Sequence, residues 1–236
     1  MFKIVNKRSL NATVVMMDIE APLVAKKAEA GQFIILRVDE EGERIPLTVA
    51  GYDREKGTVT VMVQAAGKTT KMLHTVEQGD YISDFAGPLG RPTELNGLKK
   101  VCIVGGGVGC AIALPIAKKL HAMGAEVTSI IGFRTKDLVI LEEEFKNSST
   151  KTYVLTDDGS YGVQGNVCAP LNDMFGAGEK FDKVIAIGPL VMMKFVCLTT
   201  KPWALQTTVS LNALMVDGTG MCGACRVSVG GKTLFT

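Results

Sequence analysis

Two cysteines near the C-terminus have a spacing that could bind metal. Cys222 and Cys225 form a C-x-x-C pair in a glycine-rich loop that begins at Asp217. Thiolates are soft ligands that suit zinc or an iron–sulfur cluster. A plant-type two-iron centre uses a C-x4-C-x2-C spacing, and Asp217 stands at the first of these cysteine positions. The loop is therefore a candidate metal or redox site, and chemically inert thiols are the alternative.

Two other uses of a cysteine pair fit this sequence less well. A zinc knuckle needs a second pair of ligands, and neither His74 nor His121 lies near the loop in the sequence. A thioredoxin-like pair normally opens a helix after a strand, which this glycine-rich loop does not do. The other four cysteines stand singly among apolar residues, as is typical of core residues.

The run Gly105-Gly106-Gly107-Val108-Gly109 is a second chemical signal. It follows an apolar strand pattern, and glycines let a backbone approach a phosphate that the next helix can bind through its N–H groups. The dinucleotide fingerprint is met only in part, because Cys110 replaces its third glycine. The second strand is followed by Arg134 and not by an acidic residue for a ribose hydroxyl. The run predicts a non-classical nucleotide cradle, and a merely tight turn is the alternative.

A weaker signal lies in the stretch from Arg44 to Thr48. An arginine and a hydroxyl residue on one strand can hold a phosphate and a polar ring edge together. The later stretch from Gly67 to Thr70 could begin a helix against the same phosphate. Together they favour a phosphate-bearing ligand, and an ordinary surface arginine is the alternative for Arg44.

The elements that must position these residues fall into three segments. Residues 1–98 contain short strands rich in Val, Ile and Thr, which predict an antiparallel barrel. Residues 99–205 alternate strands with helices, which predicts a parallel sheet with right-handed crossovers. Residues 206–236 read as a glycine-rich ligand loop with one short strand. The predicted strands are 12–19, 32–38, 45–52, 58–64, 80–85, 100–104, 126–131, 152–155, 183–187 and 226–229; the predicted helices are 70–76, 111–123, 138–145, 167–175 and 191–198.

Composition narrows the class of protein. The 236 residues are 47% hydrophobic and 21% charged with a net charge of +2, and no basic patch predicts a nucleic-acid partner. Residues 1–8 lack the features of a secretory signal, and no apolar stretch is long enough to cross a bilayer. We therefore expect a cytoplasmic protein with no membrane partner.

The barrel, the nucleotide domain and the cysteine loop, in this order, resemble the ferredoxin–NADP reductase superfamily over essentially the whole chain. More narrowly, they resemble its branch of electron-transfer subunits, in which two families compete. One is the electron-transfer subunit of dihydroorotate dehydrogenase B. The other is the small (alpha) subunit of NADH-dependent ferredoxin:NADP⁺ oxidoreductase, also described as the sulfide dehydrogenase beta subunit. The stretch from Met215 to Val227 resembles the second, because that family has an aspartate at the position of Asp217.

This resemblance implies three domains with their cofactors. Residues 1–98 would be a FAD-binding barrel, residues 99–205 an NAD(P)-binding α/β domain, and residues 206–236 a truncated [2Fe–2S]-binding segment. Arg44 would hold the FAD pyrophosphate, and Thr48, the catalytic candidate, would lie near the isoalloxazine ring. The other implied FAD residues are Pro46, Leu47, Met62, Val63, Gln64, Gly67, Thr69 and Thr70. The implied NAD(H) residues are Gly105, Gly106, Gly107, Gly109, Arg134, Asp157, Gly159, Gly188 and Pro189.

For the cluster, the resemblance implies a [2Fe–2S] centre with Asp217, Cys222 and Cys225 as three of its ligands. A fourth cysteine is expected just past Thr236, where the printed sequence stops. The sequence departs from many relatives at Ile187, where they have a cysteine near the nicotinamide.

The implied function is an electron-transfer subunit of an NAD(P)H-dependent oxidoreductase. It would pass electrons between NAD(H) and a larger flavoprotein subunit in a heterodimer or higher assembly, and through that subunit to ferredoxin in an electron-bifurcating enzyme. A dihydroorotate dehydrogenase B subunit and a non-catalytic flavin- or nucleotide-binding module are the alternatives. Thr135 and Lys136 could meet a 2′-phosphate, whereas the resemblance favours NADH, so the choice between NAD and NADP stays open.

Overall fold

The computed structural model describes residues 1–235, which divide into two compact units. Unit 1 consists of Met1–Thr93 together with the segment that begins at Leu211, and unit 2 consists of Glu94–Ser210. Among residues 1–235, no helix is both long enough and apolar enough to span a bilayer.

The part of unit 1 before residue 94 contains two antiparallel sheets. Its elements before residue 94 are β1 Phe2–Ser9, β2 Val14–Glu20, α1 Pro22–Ala25, β3 Phe33–Arg37, β4 Ile45–Thr48, β5 Gly51–Asp53, β6 Thr58–Gln64, α2 Lys68–Thr75, β7 Tyr81–Ile82 and β8 Asp84–Leu89. The larger sheet has the strand order β5-β6-β2-β1-β7, and the smaller sheet has the order β4-β3-β8.

One apolar core joins the two sheets of unit 1. In β6, Val59, Val61 and Val63 occupy every second position and are fully buried, because successive side chains of a strand point to opposite faces. Ile34 and Leu36 of β3 enter the same core from the smaller sheet. The barrel-like antiparallel architecture predicted from the sequence is therefore confirmed.

Several strand predictions in unit 1 were incomplete. The predicted strand 45–52 is two strands, β4 and β5, which belong to different sheets. The predicted strand 80–85 likewise divides into β7 and β8. The prediction missed β1, whose charged outer positions leave Ile4 as its one fully buried residue. A strand of this kind forms through its pairing with β2 and not through a strong apolar pattern of its own.

Unit 2 is a parallel sheet with helical crossovers. Its elements are β9 Lys100–Gly106, α3 Gly109–Ala122, β10 Glu126–Phe133, α4 Glu142–Lys146, β11 Lys151–Thr156, β12 Val163–Gln164, α5 Cys168–Gly176, β13 Lys183–Ile187, α6 Leu190–Thr200 and β14 Thr207–Val209. The strand order is β12-β11-β10-β9-β13-β14, and all pairings are parallel. The centre of β9 is fully buried, as expected for a strand covered on both faces. The predicted parallel sheet is confirmed.

The helix predicted at 138–145 was too long. The structure has a short 3₁₀ turn at Lys136–Leu138 and then α4. The residue before α4, Leu141, has a left-handed conformation with φ of 63°. The two edge strands β12 and β14 were missed because they have two and three residues, too few to show a period.

A hairpin ends the described part of the chain. It consists of β15 Arg226–Val229, which was predicted, and β16 Lys232–Phe235, which was missed. The two strands are joined by Gly230 and Gly231, whose φ values of 57° and 78° allow the type I′ turn that suits the twist of a hairpin.

Candidate functional site

The carboxyl edge of the unit 2 sheet contains a topological switch point. In the sheet, β10 lies on one side of β9 and β13 lies on its other side. The chain continues outward from β9 through β10 to β11 and β12, and it later returns to the opposite side with β13 and β14. In open parallel sheets, ligands bind in the crevice outside the carboxyl ends of the strands where the order reverses. The glycine run follows β9 at this edge, and Gly188 and Pro189 follow β13.

The loops after β9 and β13 pack closely enough to require glycine. A Cβ atom at Gly109 would lie 2.8 Å from Gly188 Cα, and one at Gly188 would lie 3.0 Å from the Cα of Gly106. At Gly106 a Cβ atom would lie 3.0 Å from Pro189 Cδ and would collide with Met192 Sδ. Residues that are distant in the sequence therefore form one glycine-lined edge.

Gly107 has a different environment from its neighbours. Its φ of 54° is left-handed, and a Cβ atom there would meet no atom within 4 Å. Its N–H donates to the carbonyl oxygen of Gly132 at 2.9 Å, which ties the loop to the end of β10. The backbone at Gly107 therefore faces open space, as a phosphate cradle requires.

The ends of β10 and β11 bring further predicted residues to the same edge. The N–H of Asp157 donates to the carbonyl oxygen of Phe133 at 3.0 Å, and that of Asp158 to Arg134 at 3.3 Å. Arg134, Asp157 and Gly159 are all exposed. The hydroxyl and N–H of Ser160 hydrogen-bond to Asp158 and lower the pKa of that carboxyl group. Thus all the predicted NAD(H) residues lie at the carboxyl edge of one sheet.

In unit 1, the predicted FAD residues of β4 divide between its two faces. Pro46 pairs with Ile35, and Thr48 pairs with Phe33, so both face away from the barrel core. Leu47 packs against the core instead. Arg44, which precedes β4, is exposed. A ligand on the outer face could therefore contact Pro46, Thr48 and Arg44, whereas Leu47 supports the strand from inside.

The second predicted FAD segment joins β6 to α2. Thr70 Oγ1 accepts hydrogen bonds from the N–H groups of Ala66 and Gly67 at 2.9 Å and organises the start of the helix. Gln64 is exposed, while Met62 and Val63 are buried. Val63 contributes its side chain to the core, and its carbonyl oxygen lies 3.1 Å from His74 Nε2.

Glu43 is a residue that sequence reasoning missed. Its Oε2 accepts a hydrogen bond from Thr69 Oγ1 at 2.8 Å, which connects the first turn of α2 to the residue before Arg44. This contact brings together the two segments for which a shared phosphate was predicted. No local pattern in the sequence indicates it, because the two residues are far apart along the chain.

The cysteine loop is closed by Asp217. Its two carboxylate oxygens accept hydrogen bonds from the N–H groups of Thr219 at 2.9 Å, Gly220 at 3.2 Å and Cys222 at 2.9 Å. The hydrogen bonds from Cys222, which has the larger effect, and from Thr219 lower the pKa of Asp217 to about 2. Asp217 is therefore an anion over most of the pH range.

The donor set of this loop suits iron. Cys222 is exposed and Cys225 is buried, and neither forms a disulfide. Two thiols and a carboxylate can all bind iron, and a carboxylate that accepts backbone hydrogen bonds keeps further lone pairs for a metal. Within residues 1–235 no three His, Cys, Asp or Glu side chains are gathered into a metal-binding group. The fourth ligand expected past Thr236 falls outside the described residues.

Comparisons with known proteins agree with this architecture, although no family model matches the chain. A dihydroorotate dehydrogenase B (NAD⁺) electron-transfer subunit homologue of Thermotoga maritima is 46% identical over 233 residues, which cover 99% of this chain and 82% of that protein. The dihydroorotate dehydrogenase B (NAD⁺) electron-transfer subunit of Streptococcus pneumoniae is 33% identical over 232 residues, which cover 96% of this chain and 88% of that protein. A solved structure of an NADH-dependent reduced ferredoxin–NADP oxidoreductase, described for flavin-based electron bifurcation, contains a chain with a TM-score of 0.94 to this one. The two chains are 44% identical, and the match covers 100% of this chain and 84% of that chain.

Proposed function

The chain belongs to the family of dihydroorotate dehydrogenase B electron-transfer subunits and their homologues, and from this premise we propose how its residues serve electron transfer. It is an oxidoreductase subunit that carries FAD and a [2Fe–2S] cluster and exchanges electrons with NAD(H). Its partner is a larger flavoprotein subunit. The observation that supports this most directly is the gathering of the predicted nucleotide residues at the switch point between β9 and β13.

In unit 2, the glycine-lined edge would bind the pyrophosphate of NAD(H). The open space beside Gly107 leaves room for a phosphate, the close packing of Gly106, Gly109 and Gly188 holds the two loops together, and the start of α3 supplies a positive dipole. The carboxylates of Asp157 and Asp158 put negative charge directly after β11, where we propose that the adenosine ribose would lie. That charge favours NAD over NADP, whose 2′-phosphate it would repel.

In unit 1, the outer face of β4 and the first turn of α2 would bind FAD. Arg44 would pair with the pyrophosphate through its fixed positive charge. The Thr48 hydroxyl group would hydrogen-bond the edge of the ring system, and Glu43 would hold the start of α2 in place through Thr69. The chemistry that FAD would supply when bound is the conversion of a two-electron hydride transfer from NADH into one-electron steps.

In the cysteine loop, Asp217, Cys222 and Cys225 would bind the iron of the cluster. The carboxylate of Asp217 also closes the loop through its hydrogen bonds, so the loop keeps its shape around the two thiols. We further propose a cytoplasmic location and, as the enzyme, an NADH-dependent ferredoxin:NADP⁺ oxidoreductase. The 44% identity to a chain of such an enzyme and the aspartate at position 217 support this choice.

The first experiment is the visible spectrum of the anaerobically purified protein, with flavin and iron assays, before and after addition of NADH. We expect flavin bands and broad iron–sulfur absorption that both bleach with NADH. In Cys225→Ser the iron content and the broad absorption should fall while the flavin bands still bleach, whereas Cys168→Ser in α5 should behave like the wild type. Flavin that binds but does not bleach with NADH would support the non-catalytic module instead.

A second experiment separates the two candidate enzymes. The chain would be co-expressed with its partner subunit, and the complex assayed for reduction of NADP⁺ with NADH and reduced ferredoxin, and for oxidation of dihydroorotate with NAD⁺. Activity in the first assay alone supports the proposed enzyme. Activity in the second assay alone makes the chain a dihydroorotate dehydrogenase B subunit, as the 46% identical homologue is named.

A further inference from the structure

The smaller sheet of unit 1 has a covered outer face. Ile34 and Leu36 of β3 point into the barrel core, so the alternation of a strand directs Phe33 and Ile35 to the opposite face. A residue on the outer face of a three-stranded sheet is normally accessible to solvent. Ile35 is nevertheless only 3% exposed. Another part of unit 1 therefore lies on this face.

Gly218 of the cysteine loop lies on that face. A Cβ atom at Gly218 would lie 2.5 Å from Ile35 Cδ1, 3.1 Å from Leu89 Cδ1 and 3.3 Å from Phe33 Cε2. The φ of Gly218 is 73°, in the left-handed region that favours glycine. Position 218 therefore favours glycine, because its backbone conformation is strained for other residues and an added methyl group would displace the end of the Ile35 side chain.

The covered face is continuous with β4. Phe33 pairs with Thr48 on one side and with Leu89 on the other, and directly opposite residues of antiparallel strands point to the same face. Adjacent strands are about 4.8 Å apart. The cysteine loop thus contacts β3 and β8 through Gly218. The proposed flavin residues Pro46 and Thr48 lie on the neighbouring strand β4, and Phe33 contacts the loop and pairs with Thr48.

We propose that Gly218 and the apolar surface of Phe33, Ile35 and Leu89 form a seat that fixes the cysteine loop beside the flavin strand. These are positioning residues, because they act through the loop and not by binding the cluster. The inference rests on the proposed function for the identity of the two cofactors. The seat itself is a contact between named residues of one unit, and it keeps the separation of the two sites constant during turnover.

The test uses one variant that disrupts the seat and a control from the same loop. Gly218→Ala adds a methyl group against Ile35. Gly220→Ala is the matched control, because Gly220 has a similar φ of 85° but a Cβ atom there would meet nothing within 4 Å. Ile35→Val combined with Gly218→Ala is the rescue variant, since valine lacks the Cδ1 atom that the new methyl group would strike.

Three measurements are made on each full-length variant: the rate of limited proteolysis within residues 211–235, the iron-to-flavin ratio, and the NADH-driven bleaching rates of the flavin and iron–sulfur bands. For Gly218→Ala we expect cleavage about tenfold faster than in the wild type, because an overpacked contact favours the opened loop. The iron-to-flavin ratio and the cluster bleaching rate should fall, with flavin bleaching unchanged. Gly220→Ala reports the effect of a left-handed backbone without a steric clash, so its cleavage and cluster bleaching should change less than those of Gly218→Ala. The rescue variant should recover to the level of Gly220→Ala.

Two results would overturn the proposal. One is that Gly218→Ala and Gly220→Ala change cleavage and cluster bleaching equally, which would make the backbone conformation the only cause. The other is that Ile35→Val gives no recovery in the double variant. If the wild type contained no iron, the proposed function would fail, yet the proteolysis of the same variants would still decide whether the seat exists.

Discussion

The carboxylate of Asp217 shows why an aspartate can be favoured where related plant-type centres have a cysteine. It accepts hydrogen bonds from three N–H groups of its own loop. A thiolate sulfur is a weak hydrogen-bond acceptor and would hold those N–H groups poorly. At the scale of one residue, therefore, Asp217 closes the loop through its hydrogen bonds and carries the negative charge that its proposed metal-binding role requires.

Arg44 is the residue whose charge we expect to matter most for FAD. Charge-assisted hydrogen bonds to a phosphate contribute about 1.5–3 kcal/mol, so Arg44→Ala should raise the Kd for FAD about 10- to 100-fold. Titration of the apoprotein with FAD, followed by flavin fluorescence, measures this change. Arg8→Ala on β1, in the larger sheet, is the control and should leave the Kd unchanged. Equal effects of the two substitutions would remove Arg44 from the FAD site.

At the scale of elements, the loops after β9 and β13 act as one structure. We expect Gly106→Ala to push Pro189 and Met192 away and to open the edge of the sheet, because the added methyl group has no room. The Kd for NADH should then rise at least about tenfold, with flavin content unchanged. Isothermal titration of the flavin-loaded protein measures this. Gly176→Ala at the end of α5 is the control, since a Cβ atom there meets nothing within 4 Å; a similar loss in that variant would contradict the role of the edge.

A second element-scale contact joins the start of β9 to the start of β13. Asp182 accepts hydrogen bonds from the N–H groups of Lys99 and Lys100 at 2.6 and 2.8 Å, and the bond from Lys100 is the main cause of its lowered pKa. A lowered pKa in the folded state means that this carboxylate stabilises the protein above the ordinary carboxyl range, about pH 4. The stabilisation is lost as the pH falls through the folded-state pKa.

We therefore expect Asp182→Asn to lower the free energy of unfolding by about 1 kcal/mol at pH 7, a modest value because the group is near solvent. The difference from the wild type should shrink as the pH falls below about pH 4, because the carboxyl group is protonated there in the unfolded state and at lower pH also in the folded state. Urea denaturation at pH 7 and pH 3.5 measures it, with the exposed Asp173→Asn as control. If Asp182→Asn lowered the free energy of unfolding equally at both pH values, the charge of Asp182 would not be the cause of the destabilisation.

At the scale of the whole molecule, the division into two units predicts where each cofactor protects the backbone. A ligand present at 100 times its Kd stabilises the native state by about 2.7 kcal/mol. By hydrogen exchange, FAD should slow exchange in β4, β6 and the start of α2, and NADH should slow exchange in the loops after β9 and β13. The same experiment without added ligand is the reference. Protection by NADH confined to unit 1 would contradict the proposed roles of the two units.

Local patterns in the sequence determined the fold class and indicated the glycine run and the cysteine pair, whereas most other candidate site residues were implied by the family resemblance. The alternation of Val and Thr in β6 and the apolar run of β9 indicate an antiparallel and a parallel strand without any other information. The glycine run and the cysteine pair are also local, because each spans only a few consecutive residues of the chain. Because parallel strands end at a common edge, the predicted parallel sheet is consistent with the meeting of the candidate nucleotide residues that the resemblance implied.

Only the tertiary structure decided the contacts between distant segments. The division of residues 45–52 into strands of two sheets, the Thr69–Glu43 hydrogen bond and the position of Gly218 on Ile35 all depend on which faces meet after folding. The sequence shows the alternation of β3, but it does not show that the outer face is covered by a loop about 180 residues later. The reason is physical: a periodic pattern reports which side of a strand is apolar, whereas the partner of that side is selected by packing of the whole chain.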